Sequence, residues 1–287
     1  MSTFTERRRR MRELVAGPRC FYPGSVFDAL SARLAEEAGF ESVMLAGSVA
    51  SMAVLGAPDL ILLTLSEFAE QAHRICRATR LPLLVDADHG YGNALNVMRT
   101  VEELEHAGVS ALSIEDTVLP AAFGEQTAVL TSVEEGAGKM RAAVAARRDP
   151  ALIIAGRTSA LALTGTEDAV ARCKAYEAAG VDALFLIGAK TRAQLEAVSS
   201  VTRLPLILGG ASPELSDAEY LAAQRVRIRI PAHLPIMAAV QAVHATLTAM
   251  RKGTPAAQIP NLAPEDLMKR ATSAGAYQHW SDDFLGR

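Results

Sequence analysis

The 287-residue sequence predicts an α/β protein: a single (β/α)8 (TIM) barrel domain over residues 1–287, with residues 252–287 as a C-terminal helical extension. Short apolar runs alternate with longer amphipathic segments along most of the chain. Eight such runs can be counted, and no change in composition divides them. None is followed by the Gly-x-Gly-x-x-Gly turn of a dinucleotide-binding open sheet, which disfavours that alternative.

The eight apolar runs are the predicted strands. They are rich in Leu, Ile, Val and Ala, as expected of parallel strands that helices cover on the outside. In chain order they are Cys20–Phe27, Ser42–Gly47, Leu81–Asp88, Ala111–Asp116, Ala151–Thr158, Ala183–Ala189, Leu204–Gly210 and Arg225–Ile230.

Between the strands, apolar residues recur every three or four positions, which predicts helices. Val97, Val101 and Leu104 form one such stripe, and Gly108 ends it. After the eighth strand we expect a long apolar helix, a Pro-containing linker and short helices. A segment of this kind often packs on a neighbouring subunit, so we expect a homo-oligomer, a dimer or a homotetramer. The predicted helices include Asn93–Ala107, Val133–Arg148, Glu167–Ala179, Arg192–Ser200 and Leu234–Met250.

Composition excludes several classes of partner. A formal net charge of −3 argues against nucleic acid, and no apolar run is long enough to span a membrane. Three cysteines lack metal or redox spacing, so we expect reduced thiols in the cytoplasm. The arginines at positions 7–10 precede no apolar stretch, so we interpret them as a solvated first helix rather than an export signal.

Polar side chains at the strand ends are the candidate functional residues, because active sites of this architecture lie at the C-terminal ends of the strands. A small-molecule ligand is therefore the expected partner. In chain order these residues are Ser48 and Ser51; Asp86, Asp88 and His89; Glu115 and Asp116; Arg157, Thr158 and Ser159; and His233.

Asp86 and Asp88 lie two positions apart on a predicted strand, so both should face the same way. If they face the barrel interior, they meet Glu115 from the next strand, and three carboxylates require a cation. Oxygen ligands suit Mg²⁺ or Mn²⁺. The alternative is that these acids pair with loop arginines or cap helices.

Three further residues are candidates for binding a ligand, and two of them have an alternative interpretation. The planar guanidinium of Arg157 suits a substrate carboxylate, but it could also pair with Glu115 or Asp116 at the barrel mouth. The turn at Ser48 could present a hydroxyl group to a ligand. His233 could bind substrate or cap the following helix.

Several spaced motifs, in order over most of the chain, resemble the phosphoenolpyruvate mutase/isocitrate lyase superfamily. The run from His89 to Thr100 most resembles the oxaloacetate decarboxylase branch. The motifs are Ser25-Val26-Phe27-Asp28-Ala29, Gly47-Ser48-Val49-Ala50-Ser51, Pro58-Asp59, Val85-Asp86-Ala87-Asp88-His89-Gly90-Tyr91-Gly92-Asn93, Ser113-Ile114-Glu115-Asp116 and Arg157-Thr158.

This resemblance implies a role for seven residues. Asp86 would bind Mg²⁺ directly, or Mn²⁺ as a substitute, and would be catalytic together with Arg157 and His233. Metal-bound waters would be held by Asp59, Asp88 and Glu115. Substrate would be contacted by Ser48, Arg157 and His233. Asp59 is a candidate on the resemblance alone.

The segment after the fourth strand indicates the reaction. Carbon–carbon lyases that this chain resembles carry Lys-(Lys/Arg)-Cys-Gly-His there, with the cysteine as acid, whereas this chain has Ala121-Ala122-Phe123-Gly124-Glu125. Residues 120–131 contain no Lys or Arg, which disfavours a phosphonate substrate. We therefore expect Mg²⁺-dependent decarboxylation of oxaloacetate, or a close 2-oxo dicarboxylate, to pyruvate and CO₂ through a metal-stabilised enolate. The alternatives are a lyase of a substituted malate or methylisocitrate, and a barrel that binds a dicarboxylate without catalysis.

Three departures from the resemblance concern the substrate. Ser159 stands where Asp or Asn is usual, Gly209-Gly210-Ala211 lacks a polar or aromatic side chain, and Pro231-Ala232 replaces Asn-Gly. We expect a roomier pocket or a bulkier 2-oxo acid.

Overall fold

In the computed structural model, which describes residues 3–286, eight parallel strands pair in chain order. Each lies within its predicted run. The strands are β1 (Gly24–Ser25), β2 (Val43–Leu45), β3 (Leu83–Asp86), β4 (Ala111–Glu115), β5 (Ile153–Thr158), β6 (Ala183–Ile187), β7 (Leu206–Gly209) and β8 (Val226–Ile230).

The residues just before β1 close the sheet into a barrel. Phe21 pairs in parallel with Ile228 of β8. The Phe21 N–H donates to the Arg227 carbonyl at 2.8 Å, and the Arg229 N–H donates to the Phe21 carbonyl at 3.0 Å. The first and last strands are thereby joined, and the predicted (β/α)8 fold is confirmed.

Helices follow the strands and cover the outside of the barrel. Predicted helix Asn93–Ala107 illustrates the local rules, because the Asn93 side chain caps its first turn and Gly108, at φ +95°, ends it. The helices are α1 (Phe4–Ala16), α2 (Ala29–Glu37), α3 (Gly47–Leu55), α4 (Leu65–Ala78), α5 (Ala94–Ala107), α6 (Val133–Ala146), α7 (Ala160–Leu163), α8 (Thr166–Ala178), α9 (Arg192–Ser199), α10 (Ala218–Ala223), α11 (Leu234–Arg251), α12 (Glu265–Ala271) and α13 (Ala274–Leu285), with 3₁₀ turns at Pro213–Leu215 and Ala256–Gln258.

Helix α1 corrects one prediction. Arg7 and Arg8 are buried, although the arginine run was expected to be solvated. Arg8 Nε donates to the Val109 carbonyl at 2.9 Å, and its Nη1 pairs with Asp149 at 2.8 Å. A guanidinium has five donors and can satisfy carbonyls at the start of several strands, so α1 packs across the N-terminal end of the barrel. Residues 9 and 10 remain exposed.

The segment after β8 packs loosely on the barrel. Helix α11 buries only Ile236, and α12 is tied to α2 by an Arg270–Glu37 ion pair of 2.7 Å. Within residues 3–286, no helix has both the length and the apolar character needed to cross a membrane. The division of the chain at residue 252 stays a prediction.

Candidate active site

A cavity of about 1030 Å³ opens at the C-terminal ends of the strands. It brings together all seven residues proposed for the site, although their roles stay predictions. They are Ser48, Asp59, Asp86, Asp88, Glu115, Arg157 and His233.

Three neighbouring strands supply the centre of the site. Asp86 and Glu115 are the last residues of β3 and β4, and Arg157 of β5 lies beside Glu115 in the register. The Arg157 guanidinium pairs with Asp86, and its Nη2 lies 3.2 Å from Glu115 Oε2. Ser113 Oγ donates to Asp86 Oδ1 at 3.0 Å. The ion pair that was the alternative interpretation of Arg157 therefore forms with Glu115 and not with Asp116.

Asp88 reaches the cavity for a different reason than the sequence indicated. Strand β3 ends at Asp86, and Asp88 adopts a left-handed conformation with φ +48°. Its carboxylate lies against Gly47, where an added Cβ would be 2.5 and 2.6 Å from the two carboxylate oxygens. Only glycine allows this approach.

Ser48 and Asp59 come from the segment between β2 and α4. Ser48 lies in the first turn of α3, so the predicted turn is the start of a helix. Asp59 follows α3 in a loop and lies at the cavity wall. No strand ends near Asp59, which explains why strand-end reasoning missed it and only the motif resemblance found it.

The carboxylates of the cavity repel one another. Burial, then Asp86, Glu115 and Asp59, raise the pKa of Asp88 well above its usual value. Burial also raises the pKa of Glu115 to about 6, with Arg157 opposing the shift and Asp86 adding to it. The pKa of Asp59 is raised by burial and then by Asp86. Such a cluster of carboxylates favours the binding of a cation in addition to the Arg157 guanidinium.

The donor chemistry of these residues fits a hard divalent cation, since carboxylate oxygens are the ligands that Mg²⁺ prefers. Among residues 3–286, however, no group of three or more His, Cys, Asp or Glu side chains is arranged to hold a metal ion as it stands. The Arg157 guanidinium contacts both Asp86 and Glu115 instead.

His233 follows β8 and is held by a residue that the strand-end survey did not include. Its Nδ1 lies 2.9 Å from Ser25 Oγ of β1. The His233 side chain makes no capping hydrogen bond to α11, so the capping alternative is not what the structure has. Burial lowers the pKa of His233, with Asp86 opposing, which favours the neutral ring. Ser25 stood in a quoted motif but not at a predicted strand end.

Several strand-end residues lie outside the cavity. Asp116 is fully buried and accepts hydrogen bonds from Tyr176 Oη at 2.5 Å and Arg172 Nη1 at 3.0 Å. Thr158 Oγ1 accepts from the Ala160 N–H at 3.2 Å. These contacts hold parts of the barrel together and do not face the cavity. Also outside the cavity lining are Ser51 and His89.

The residues of the three substrate departures do line the cavity, and so does the start of the segment after β4. That segment is pinned at its base by a Thr117–Leu130 bridge and presents Leu119, Pro120 and Ala121 to the cavity. The departing residues that line it are Ser159, Gly209, Gly210, Ala211, Pro231 and Ala232.

Known proteins similar to this chain include enzymes acting on oxaloacetate. A protein named oxaloacetate decarboxylase from Rhodopseudomonas palustris (strain BisB18) is 57% identical over 284 residues, 99% of each chain. One of the same name from Bradyrhizobium diazoefficiens is 56% identical over 283 residues, 99% of this chain and 98% of that protein.

Solved structures share the whole fold. Phosphonopyruvate hydrolase in complex with oxalate and Mg²⁺ is 31% identical with a TM-score of 0.85, covering 99% of this chain and 100% of that one. Oxaloacetate acetylhydrolase in complex with the inhibitor 3,3-difluorooxalacetate is 29% identical with a TM-score of 0.85, covering 100% and 99%. The phosphoenolpyruvate phosphomutase family matches residues 11–251. On these matches the chain, whose strand ends, cavity and carboxylates are arranged as described above, belongs to the phosphoenolpyruvate phosphomutase family.

Proposed function

We propose that this chain decarboxylates oxaloacetate, or a close 2-oxo dicarboxylate, to pyruvate and CO₂. The observation that carries the proposal is one cavity in which Arg157 lies among Asp59, Asp86, Asp88 and Glu115. Full-length relatives at 53–57% identity that are named oxaloacetate decarboxylase support the same reaction.

Decarboxylation needs little from the protein beyond binding and placement of charge. The C3–C4 bond of the substrate breaks, its electron pair remains as an enolate, and CO₂ leaves. Arg157 offers a planar, permanently charged fork to a substrate carboxylate or to the developing enolate oxygen. A proton then returns to C3 from solvent. His233, whose Nδ1 is engaged with Ser25, offers its Nε2 to the ligand as a hydrogen-bonding group.

A resident Mg²⁺, with Mn²⁺ as a substitute, is part of the proposal. It would be held by Asp86, with Asp59, Asp88 and Glu115 as outer ligands through water, and would supply a Lewis acid for the 2-oxo group. The raised pKa values of Asp59, Asp88 and Glu115 support this assignment, because a divalent charge would relieve their repulsion. Support also comes from the Mg²⁺ complex of the structurally similar phosphonopyruvate hydrolase.

Carbon–carbon cleavage of a substituted malate is less well supported. That reaction requires an acid to protonate the carbanion, and the cavity-lining part of the segment after β4 consists of Thr117, Leu119, Pro120 and Ala121. None of the three cysteines lines the cavity.

The proposal is tested by a panel assay of oxaloacetate, 2-methylisocitrate, dimethylmalate and phosphonopyruvate, each with Mg²⁺ and with chelator. We expect turnover of oxaloacetate alone, and only without chelator. Mg²⁺ itself accelerates oxaloacetate decay, so the rate with Mg²⁺ but no protein is subtracted. Turnover of a malate or phosphonate instead, or chelator-resistant activity, would contradict the proposal.

We also propose that the chain is a homo-oligomer. Helix α11 exposes about 60% of Met237, Val240 and Leu247, a large apolar stripe to leave in water. A second copy is the proposed occupant of this stripe. Val240→Glu with Leu247→Glu should reduce the mass measured by analytical ultracentrifugation, with Arg9→Glu and Arg10→Glu as exposed controls on α1; a wild-type monomer would contradict the proposal.

The free thiols of Cys20, Cys76 and Cys173 support a cytoplasmic location. Fractionation of cells with an antibody to the chain tests this location, and recovery outside the cytoplasm would contradict it.

A further inference from the structure

The cavity has two chemically different sides. The side formed by β3–β5 is charged, as described above. The opposite side is formed by the ends of β6–β8 and presents Phe185, Ile187 and Ile230. Arg229 also borders the cavity. Its neighbour Ile228 faces the barrel interior, so the Arg229 side chain is on the opposite face of β8, and its guanidinium lies 5.7 Å from the centre of the Tyr22 ring.

The strand register makes this opposite side a continuous apolar surface. Gly209 pairs with Ile187 on one side and with Ile230 on the other, so the three residues lie side by side in one layer. A Cβ at position 209 would lie 2.8 Å from Ile187 Cδ1 and 2.9 Å from Phe185 Cε2. The two large side chains therefore already lie over the glycine and form an apolar floor.

The space above this floor is open. Gly210, at φ +58°, has no side chain, and a Cβ there would meet nothing closer than the Gly188 nitrogen at 4.0 Å. Ala211 adds only a methyl group at the rim of the cavity. No charged or hydrogen-bonding side chain from positions 209–211 competes for this space.

The floor lies within the length of one small substrate from the charged side. The Arg157 guanidinium is 5.5 Å from the centre of the Phe185 ring, so the two sides meet at that contact. A 2-oxo acid held by its oxo and carboxylate groups on the charged side would direct its next carbon towards the floor. Oxaloacetate has no apolar group to cover it.

We infer that the ends of β6–β8 form an apolar subsite for an alkyl chain on the carbon next to the 2-oxo group. The substrate class then includes 3-alkyl oxaloacetates whose chain is longer than methyl. The turnover of these compounds rests on the proposed decarboxylation, but their binding does not. The chemistry is unchanged: C3–C4 breaks, CO₂ leaves, and a proton is added to the alkyl-bearing C3.

Binding of unreactive ligands tests the subsite without turnover. Oxamate carries the same oxo and carboxylate groups, and N-butyloxamate places a four-carbon chain where the C3 substituent would lie. Each methylene removed from water strengthens binding about fourfold. In calorimetry with Mg²⁺, we expect N-butyloxamate to bind wild-type protein at least tenfold more tightly than oxamate. Equal or weaker binding would overturn the inference.

A pair of variants locates the effect. Ala211→Phe places a ring above the floor, and we expect it to reduce the affinity ratio of N-butyloxamate to oxamate to near one. Ala121→Phe adds the same ring on the segment after β4 and should keep the wild-type ratio. If the affinity ratio of N-butyloxamate to oxamate fell to near one in Ala121→Phe but kept its wild-type value in Ala211→Phe, the alkyl chain would lie elsewhere and the inference would be overturned.

Turnover separates the inference from the proposed function. Decarboxylation of oxaloacetate with no preference for N-butyloxamate would overturn the subsite alone. Preference for N-butyloxamate without decarboxylation of oxaloacetate or 3-butyl oxaloacetate would overturn the proposed reaction and leave the subsite supported. If both hold, 3-butyl oxaloacetate should be decarboxylated with a kcat/KM at least equal to that of oxaloacetate.

Discussion

Replacing Gly47 by Ala perturbs one carboxylate of the site through a single methyl group. The new Cβ would lie 2.5 and 2.6 Å from the Asp88 carboxylate oxygens, whereas unstrained contacts need roughly 3.5 Å, so the carboxylate must move by about 1 Å. If Asp88 supports a metal ion as proposed, a displacement of that size costs about 10- to 100-fold in activity or metal affinity. Crowding of this kind lowers the free energy of unfolding by about 1–3 kcal/mol.

The assay is steady-state decarboxylation of oxaloacetate across a Mg²⁺ titration, with urea unfolding alongside. We expect Gly47→Ala to lower kcat/KM and to raise the Mg²⁺ concentration for half-maximal activity. Gly138→Ala is the matched control, because its Cβ would meet only the Arg141 side chain at 3.7 Å on helix α6. Wild-type kinetics and Mg²⁺ dependence in Gly47→Ala would refute the placement of Asp88 in the metal site.

Three more outcomes follow from contacts in the structure. Arg157→Lys should lower kcat/KM at least about tenfold, because one ammonium cannot reproduce the planar fork whose two terminal nitrogens contact Asp86 and Glu115. Unchanged kinetics would exclude a role for this fork in the reaction. Tyr176→Phe removes the 2.5 Å hydrogen bond to buried Asp116 and should lower the free energy of unfolding in urea by about 1.5–3 kcal/mol, with kcat unchanged. An unaltered urea midpoint would disprove this expectation. Burial raises the pKa of Asp149, but the hydrogen bonds of Arg8 and its neighbours outweigh this effect and lower the pKa to about 2. The contribution of the Asp149 carboxylate to stability is therefore present above pH 3.8 and is lost as the pH falls towards 2. The stability gap between wild type and Asp149→Asn should therefore shrink by about 1–2 kcal/mol between pH 4 and pH 2, and a constant gap would contradict the assignment.

The sequence predicts the barrel well because the buried strands have a strong local signal. Each observed strand lies inside a predicted apolar run, and Asn93 and Gly108 mark the ends of α5 where capping rules put them. Arg7 and Arg8 were misjudged, since burial of Arg8 depends on the Val109 carbonyl and on Asp149, both more than 100 residues away in the chain. Local patterns carry no trace of such partners.

For the candidate site, the sequence reasoning was correct for some residues and wrong or incomplete for others. Asp86 and Glu115 end buried strands and Arg157 lies one residue before the end of β5, so their meeting follows from barrel geometry alone. Asp88 was assigned to the cavity through strand alternation, yet it reaches the cavity through a left-handed turn against a glycine. Ser25 was missed as the partner of its histidine because their contact forms only when the last strand closes on the first.

The sharpest test of the proposed reaction is the fate of oxaloacetate labelled with ¹³C at C4. With protein and Mg²⁺, we predict that the label appears as CO₂ and bicarbonate, with unlabelled pyruvate formed in equal amount and faster than with Mg²⁺ alone. Asp86→Ala should return the rate to that of Mg²⁺ alone while its urea unfolding remains cooperative. Label recovered in acetate, or wild-type rates in Asp86→Ala, would contradict the account.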